Sequence, residues 1–87
     1  MKEEALIKKI NKEMPEAKAV SAEEFYGDYH THPGIWFKGS ENYHEGVPIF
    51  FSWDYDDRVH PKLEKILFDA GWDWEPYDPG TLLAWKA

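Results

Sequence analysis

The chain has no cysteine, which excludes disulfides and zinc sites built on thiolates. No apolar run approaches the ~18 residues of a membrane span, so no membrane helix is expected. The first stretch, MKEEALIKKINKEM, is charged throughout and has no apolar h-region, so no signal peptide is expected there. A chain with no staples fits the cytoplasm. Basic residues are scarce where acids concentrate. From Ser21 to Asp57 there are eight acids and only Lys38, a balance of −7. The flanks carry +1 (Met1 to Val20) and −1 (Arg58 to Ala87), so the middle holds the whole net charge of −7. Direct nucleic-acid binding needs a basic footprint, and none is present. Catalytic signatures are missing too. There is no Gly-rich phosphate loop, and Ser21, Ser40 and Ser52 lie in no nucleophile-like context. The pairs Glu23/Glu24 and Asp56/Asp57 are adjacent in sequence and diverge on regular structure, which makes them poor acid/base pairs.

What the chain does have is aromatic bulk: five Trp, five Tyr and five Phe in 87 residues. A chain this short makes one domain, here 1–87, and buries only ~60–65% of its unfolded surface. Aromatics at ~150–250 Å² each offset the small size, and some must remain on the surface.

Periodicity supplies the elements. Leu6, Ile10 and Met14 predict a helix over Lys2 to Met14, ended by Pro15. Ala17 to Val20 reads as a short strand. Ser21 followed three residues later by Glu24 has capping-box spacing, so Ala22 to Tyr26 reads as a helical turn or as a longer strand through Phe25. Gly34 to Gly39 and Val47 to Tyr55 alternate as strands, and 35–39 with 47–55 are expected to pair as an antiparallel hairpin. Pro48, lacking an N–H, belongs at a strand start or an edge. Pro61 opens a second helix, capped by His60 or Asp57, with Leu63, Ile66, Leu67 and Ala70 as its stripe and Gly71 as its stop. Trp72 to Tyr77 and Thr81 to Lys86 form a terminal hairpin around Asp78-Pro79-Gly80. The expected fold is α+β, in the order α-β-β-β-α-β-β: an antiparallel sheet of two hairpins plus a short first strand, with two helices on one face. The stretches PGIWFKG and PGTLLAWKA hint at a repeated helix-strand-strand unit, although the match is too short to establish a duplication.

Two constellations carry chemistry. In His30-Thr31-His32, residues i and i+2 of an extended segment share a side. Two imidazoles there can hold Zn²⁺ at ~2.0–2.1 Å, with His44 or a nearby acid completing the set. With an open fourth position, bound water would serve as nucleophile, which makes a zinc-binding protein or small metal-dependent hydrolase the alternative function. His30-Thr31-His32-Pro33 followed by Ser40 resembles part of the signature of the JAMM/MPN+ metalloisopeptidases. The resemblance implies zinc on His30 and His32 and a hydrogen-bonding role for Ser40. It stops at Tyr43, which stands where that family has its third ligand, an Asp, and only Glu23 and Glu24 stand upstream for its general base. The family's fold and reaction are therefore not carried over.

The second constellation is acidic and aromatic: Glu41, Tyr43, Glu45, Asp54, Tyr55, Asp56 and Asp57. Carboxylates interleaved with Tyr and Trp suit a basic protein surface, since Tyr and Trp are common hot-spot types and acidic fields steer basic partners. The expected function is a non-enzymatic protein-binding module that needs no cofactor. It would act as an inhibitor or regulator, occluding the basic surface of a nucleic-acid-binding protein or enzyme. Its extreme form is a nucleic-acid mimic. An acidic face can also serve solubility alone, and exposed aromatics can support self-association. No membrane partner is expected.

Overall fold

The structure, a computed structural model, describes residues 2–27, 34–54 and 56–87. Its elements in order are α1 (Glu3–Glu13), a 3₁₀ turn (Pro15–Ala17), β1 (Ala19–Ser21), α2 (Glu23–Tyr26), β2 (Gly34–Phe37), β3 (Tyr43–His44), β4 (Val47–Pro48), β5 (Phe50–Trp53), β6 (Asp56–Val59), α3 (Pro61–Asp69), β7 (Trp72–Asp78) and β8 (Thr81–Lys86). The class is the expected one: a small α+β domain with an antiparallel sheet. Four strands form the main sheet in the order β1-β2-β8-β7, and two short hairpins, β3–β4 and β5–β6, stand apart from it.

The sheet is sandwiched. On one face Ala19, Ile35, Phe37, Leu82, Ala84 and Trp72 meet the buried stripes of α1 (Leu6, Ile10 and the C-cap Met14) and α3 (Leu63, Ile66, Leu67). Ile49, Phe50 and Val59 of the small hairpins close the same core. On the other face, the single turn of α2 settles Phe25 against Trp36 and Tyr77 at ring distances of 5.2 and 4.8 Å, with Tyr26 beside Trp85 at 6.0 Å. Leu83 and Ala22 are buried on this side. Thus α2 is a helical turn rather than a continuation of β1, and it covers a second aromatic layer.

The helix ends follow from local chemistry. Pro15 opens a 3₁₀ turn instead of a strand, and Lys18 leaves it at a φ of 48°, so β1 starts at Ala19 and not at Ala17. His60 caps α3: Lys62 N–H donates to its Nδ1 (3.1 Å). Gly71, at a φ of 77°, ends that helix in the left-handed region that glycine enters without penalty.

The central hairpin differs from expectation. The 35–39 segment does not pair with 47–55; β2 pairs with β1 on one side and with β8 on the other. The 47–55 run breaks at Ile49 into β4 and β5. The break changes which alternate residues point inward: Ile49 and Phe50, neighbours in sequence, are both buried, whereas Val47, Phe51 and Trp53 are exposed. A one-residue kink exchanges the two faces of a strand. β4 folds back on β3 through Glu45-Gly46, and β5 pairs with β6, a strand formed by residues expected to be a linker into α3. Both Glu45 (φ 51°) and Gly46 (φ 80°) have positive φ, the signature of a two-residue type I′ turn, which ends any long 39–55 excursion early.

Ser40 ties these pieces together. Its hydroxyl accepts from Leu82 N–H (2.9 Å) and donates to the Phe37 carbonyl, so it is inserted between β2 and β8. Its own carbonyl accepts from Phe50 N–H at 3.1 Å.

Candidate functional site

The predicted acids separate into groups. Glu41 stands at the β7–β8 turn, where a Cβ added to Gly80 would lie 2.6 Å from Glu41 Oε1. Tyr43 and Glu45 are exposed on the β3–β4 hairpin. Asp54, Asp56 and Asp57 belong to the β5–β6 hairpin, and Tyr55 lies outside the described residues. Asp54 takes a φ of 49°, which aspartate tolerates better than most residues. Asp56 holds Arg58 Nε at 2.9 Å, and Asp57 accepts from Ser52 Oγ at 2.6 Å. These residues therefore do not share one 35–55 hairpin, because that hairpin is not built.

A different concentration takes its place. Three hollows of roughly 800, 650 and 610 Å³ follow one another along β7. The first lies between α3 (Pro61, Glu64, Phe68) and Trp72–Trp74. The second lies between Val47, Phe51, His60 and Trp74. The third lies between Ser52, Asp54, Asp57 and the Pro76–Pro79 end of β7. Glu64 and Trp74 line both the first and the second, so these two make one furrow, and the third adjoins it at Asp57, on the other face of the β5–β6 hairpin. The furrow and the adjoining hollow together carry Asp54, Asp56, Asp57, Glu64, Asp69, Asp73 and Asp78 against only Arg58 and Lys65. Both bases are already neutralised by their own wall, Arg58 by Asp56 and Lys65 by Asp69 at 3.1 Å. Aromatic surface accompanies the acids. Trp53 is 70%, Phe51 44% and Phe68 80% exposed. Trp74 is fixed by its indole N–H, which donates to Glu64 at 3.1 Å.

Glu64, Phe68, Trp74 and Asp78 were not singled out by sequence reasoning. Phe68 was the findable one. It sits off the Leu63/Ile66/Leu67 stripe, so a helix there has to expose it.

The histidines separate as well. His30 and His32 lie outside the described residues. His44 is buried, and its Nδ1 donates to the Glu16 carboxylate at 2.8 Å, since an ionised carboxylate can only accept. This bond, with a hydrogen bond from the backbone of Glu16 itself, holds the Glu16 carboxyl below the usual carboxylate range. His44 Nε2 is buried without a hydrogen-bond partner, 3.8 Å from Glu45 Oε1. His60 packs 5.4 Å from His44, ring to ring. Because His60 Nδ1 accepts from Lys62 N–H, its proton sits on Nε2 and is donated to the His44 carbonyl (3.1 Å). The His44 ring thus ties β3 to the 3₁₀ turn, and the His60 ring ties the start of α3 to β3. Among the described residues, no group of three or more His, Cys, Asp or Glu is placed to hold a metal ion. Ser40, the helper implied by the metalloisopeptidase-like stretch, spends both hydroxyl hydrogen-bonding roles inside the sheet.

No family model matches the chain, and no curated protein or solved structure is detectably similar to it. No described helix is long and apolar enough to cross a membrane.

Proposed function

We propose that this chain is a protein-binding module that seats a basic segment of a partner protein along the furrow between β7, α3 and the β5–β6 hairpin. By covering that segment it would block or regulate the partner. The observation that carries the reading is the pairing of an excess of carboxylates with exposed aromatic surface. Trp53 is 70% and Phe51 44% exposed on the same side of β5, beside Asp54 and Asp56. Aromatic anchors surrounded by charge give both affinity and steering: the ring surface supplies desolvation, and the acids raise the rate of encounter with a cation-bearing partner. The furrow and the adjoining hollow together carry five more acids than bases, which favours lysine and arginine over any anionic ligand (Asp54, Asp56, Asp57, Glu64, Asp69, Asp73 and Asp78 against Arg58 and Lys65).

The test is calorimetric titration with a lysine-rich peptide, comparing the chain with Trp53→Ser and Phe51→Ser. The expected result is saturable one-to-one binding that weakens at least about tenfold when both aromatics are removed, as for hot-spot side chains. Binding that ignores both substitutions would show that the polycation reads bulk charge and not this surface.

A further inference from the structure

The two edges of the main sheet are treated differently, and the difference points to how a partner is held. β1 and β7 are the outer strands. In an antiparallel ladder, alternate residues turn their N–H and C=O away from the neighbouring strand. On β1 the outward groups belong to Ala19 and Ser21, and the Asn11 side chain closes those of Ala19. Asn11 Oδ1 accepts from Ala19 N–H, and Asn11 Nδ2 donates to the Ala19 carbonyl, each at 2.8 Å. On β7 the phase follows from Ala87 N–H donating to the Gly71 carbonyl (3.0 Å), which makes Asp73/Trp85 and Glu75/Leu83 the hydrogen-bonded pairs. Trp74 N–H and C=O and the Pro76 carbonyl therefore point outward. Among the described residues no side chain does for Trp74 what Asn11 does for Ala19. Glu64 takes the Trp74 indole and leaves the backbone alone.

We infer that the open edge of β7 accepts an extended segment of a basic partner as a fifth strand, laid in the furrow described above. This deepens the proposed function and rests on it. The chemistry of the segment can be read from the two sides of β7. An added strand presents alternate residues to opposite faces. On the core face they meet Val47, Phe51 and Trp74, so these positions are apolar. On the other face they lie beside the exposed carboxylates of Asp73 and Glu75, so these are lysine or arginine. The occupant is an alternating apolar–basic stretch. A second copy of β7 does not fit, because edge-to-edge pairing would set Asp73 and Glu75 against their own kind, the device that keeps exposed edges from self-pairing. Pro76 offers a carbonyl but no N–H, and the ladder irregularity between Pro76 and Asp78 ends the usable edge there.

The test uses a peptide of alternating leucine and lysine and the same peptide N-methylated at alternate backbone amides. Methylation removes strand hydrogen bonds and keeps every charge and side chain. Binding is followed by calorimetry, and amide exchange is followed at Trp74. The inference predicts that the unmethylated peptide binds one-to-one and slows exchange of Trp74 N–H, and that methylation in the pairing phase weakens binding at least about tenfold, as for a lost set of main-chain bonds. Equal binding of both peptides, with Trp74 exchange unchanged, would overturn the strand-addition inference and leave the basic-partner reading standing. Binding of neither peptide would overturn both.

Discussion

Ser40 shows at the residue scale why a motif is not a site. Its position after His30-Thr31-His32-Pro33 fits a hydrogen-bonding helper in a metal centre, yet the residue is 2% exposed and its hydroxyl bridges Leu82 N–H and the Phe37 carbonyl. Ser40→Ala leaves a buried donor and a weakened acceptor, so it should destabilise the fold by about 1–3 kcal/mol in denaturant unfolding. A loss near zero would mean the two strands close directly. Glu16 gives a pH signature. Its carboxyl is held low by the hydrogen bond from His44 and then by its own backbone, so the bond's contribution is present above the ordinary glutamate pKa of about 4.3. It is lost as the pH falls below that through the lowered folded value. Glu16→Gln should therefore flatten the acid limb of stability against pH below about 4.3. An unchanged acid limb would show that the His44 contact does not favour the ionised form. His60 was legible as a helix cap from its place before Pro61. His44 was not legible as a buried partner of Glu16, because the two are 28 residues apart and only folding joins them.

At the scale of elements, local signals carried α1, α3 and the β7–β8 hairpin, since each is fixed by its own stripe, cap or turn. The 35–55 region departs from its expected hairpin because alternation marks a strand without naming its partner. β2 found β8 far along the chain, and the Ile49 kink was hidden inside a run that alternates well on paper. The Glu45-Gly46 turn ends the strand early, and only its glycine is a signal in the sequence. Glutamate is a poor occupant of a left-handed position. Glu45→Asn should raise stability by a few tenths to about 1 kcal/mol, read as a higher denaturant midpoint, because asparagine enters that conformation more easily. A lower midpoint would mean that the Glu45 carboxylate near His44 Nε2 outweighs the backbone. On β5, Trp53→Ser should change stability by no more than about 0.5 kcal/mol, as surface positions do, and Phe51→Ser, whose ring is more than half covered, by about 1–2 kcal/mol. A larger loss would show these rings holding the hairpin rather than waiting for a partner.

Over the whole molecule, α1-β1-β2 and α3-β7-β8 are two helix-strand-strand units joined through their second strands, with β1 and β7 as opposite edges. The repeated Pro-Gly texture in the sequence anticipated that order. What it could not anticipate was the asymmetry built on it: one edge closed at Ala19 by Asn11, the other open at Trp74 beside an acidic furrow. The sequence placed the acids in the middle of the chain, whereas the fold gathers Asp54, Asp56 and Asp57 with Glu64, Asp69, Asp73 and Asp78 from α3 and β7. Charge location, not charge total, is what a basic partner would read. The decisive measurement is the salt dependence of association with a lysine-rich peptide, from about 50 to about 300 mM salt. It should be made on the native chain, on Asp54→Lys/Asp56→Lys/Asp57→Lys, and on Glu4→Lys/Glu23→Lys/Glu24→Lys, which changes net charge equally on α1 and α2. The furrow reading predicts that the first triple slows association at least about tenfold and flattens its salt dependence, while the second stays within about threefold of native. Equal effects of the two triples would contradict it, because the peptide would then be sensing net charge alone.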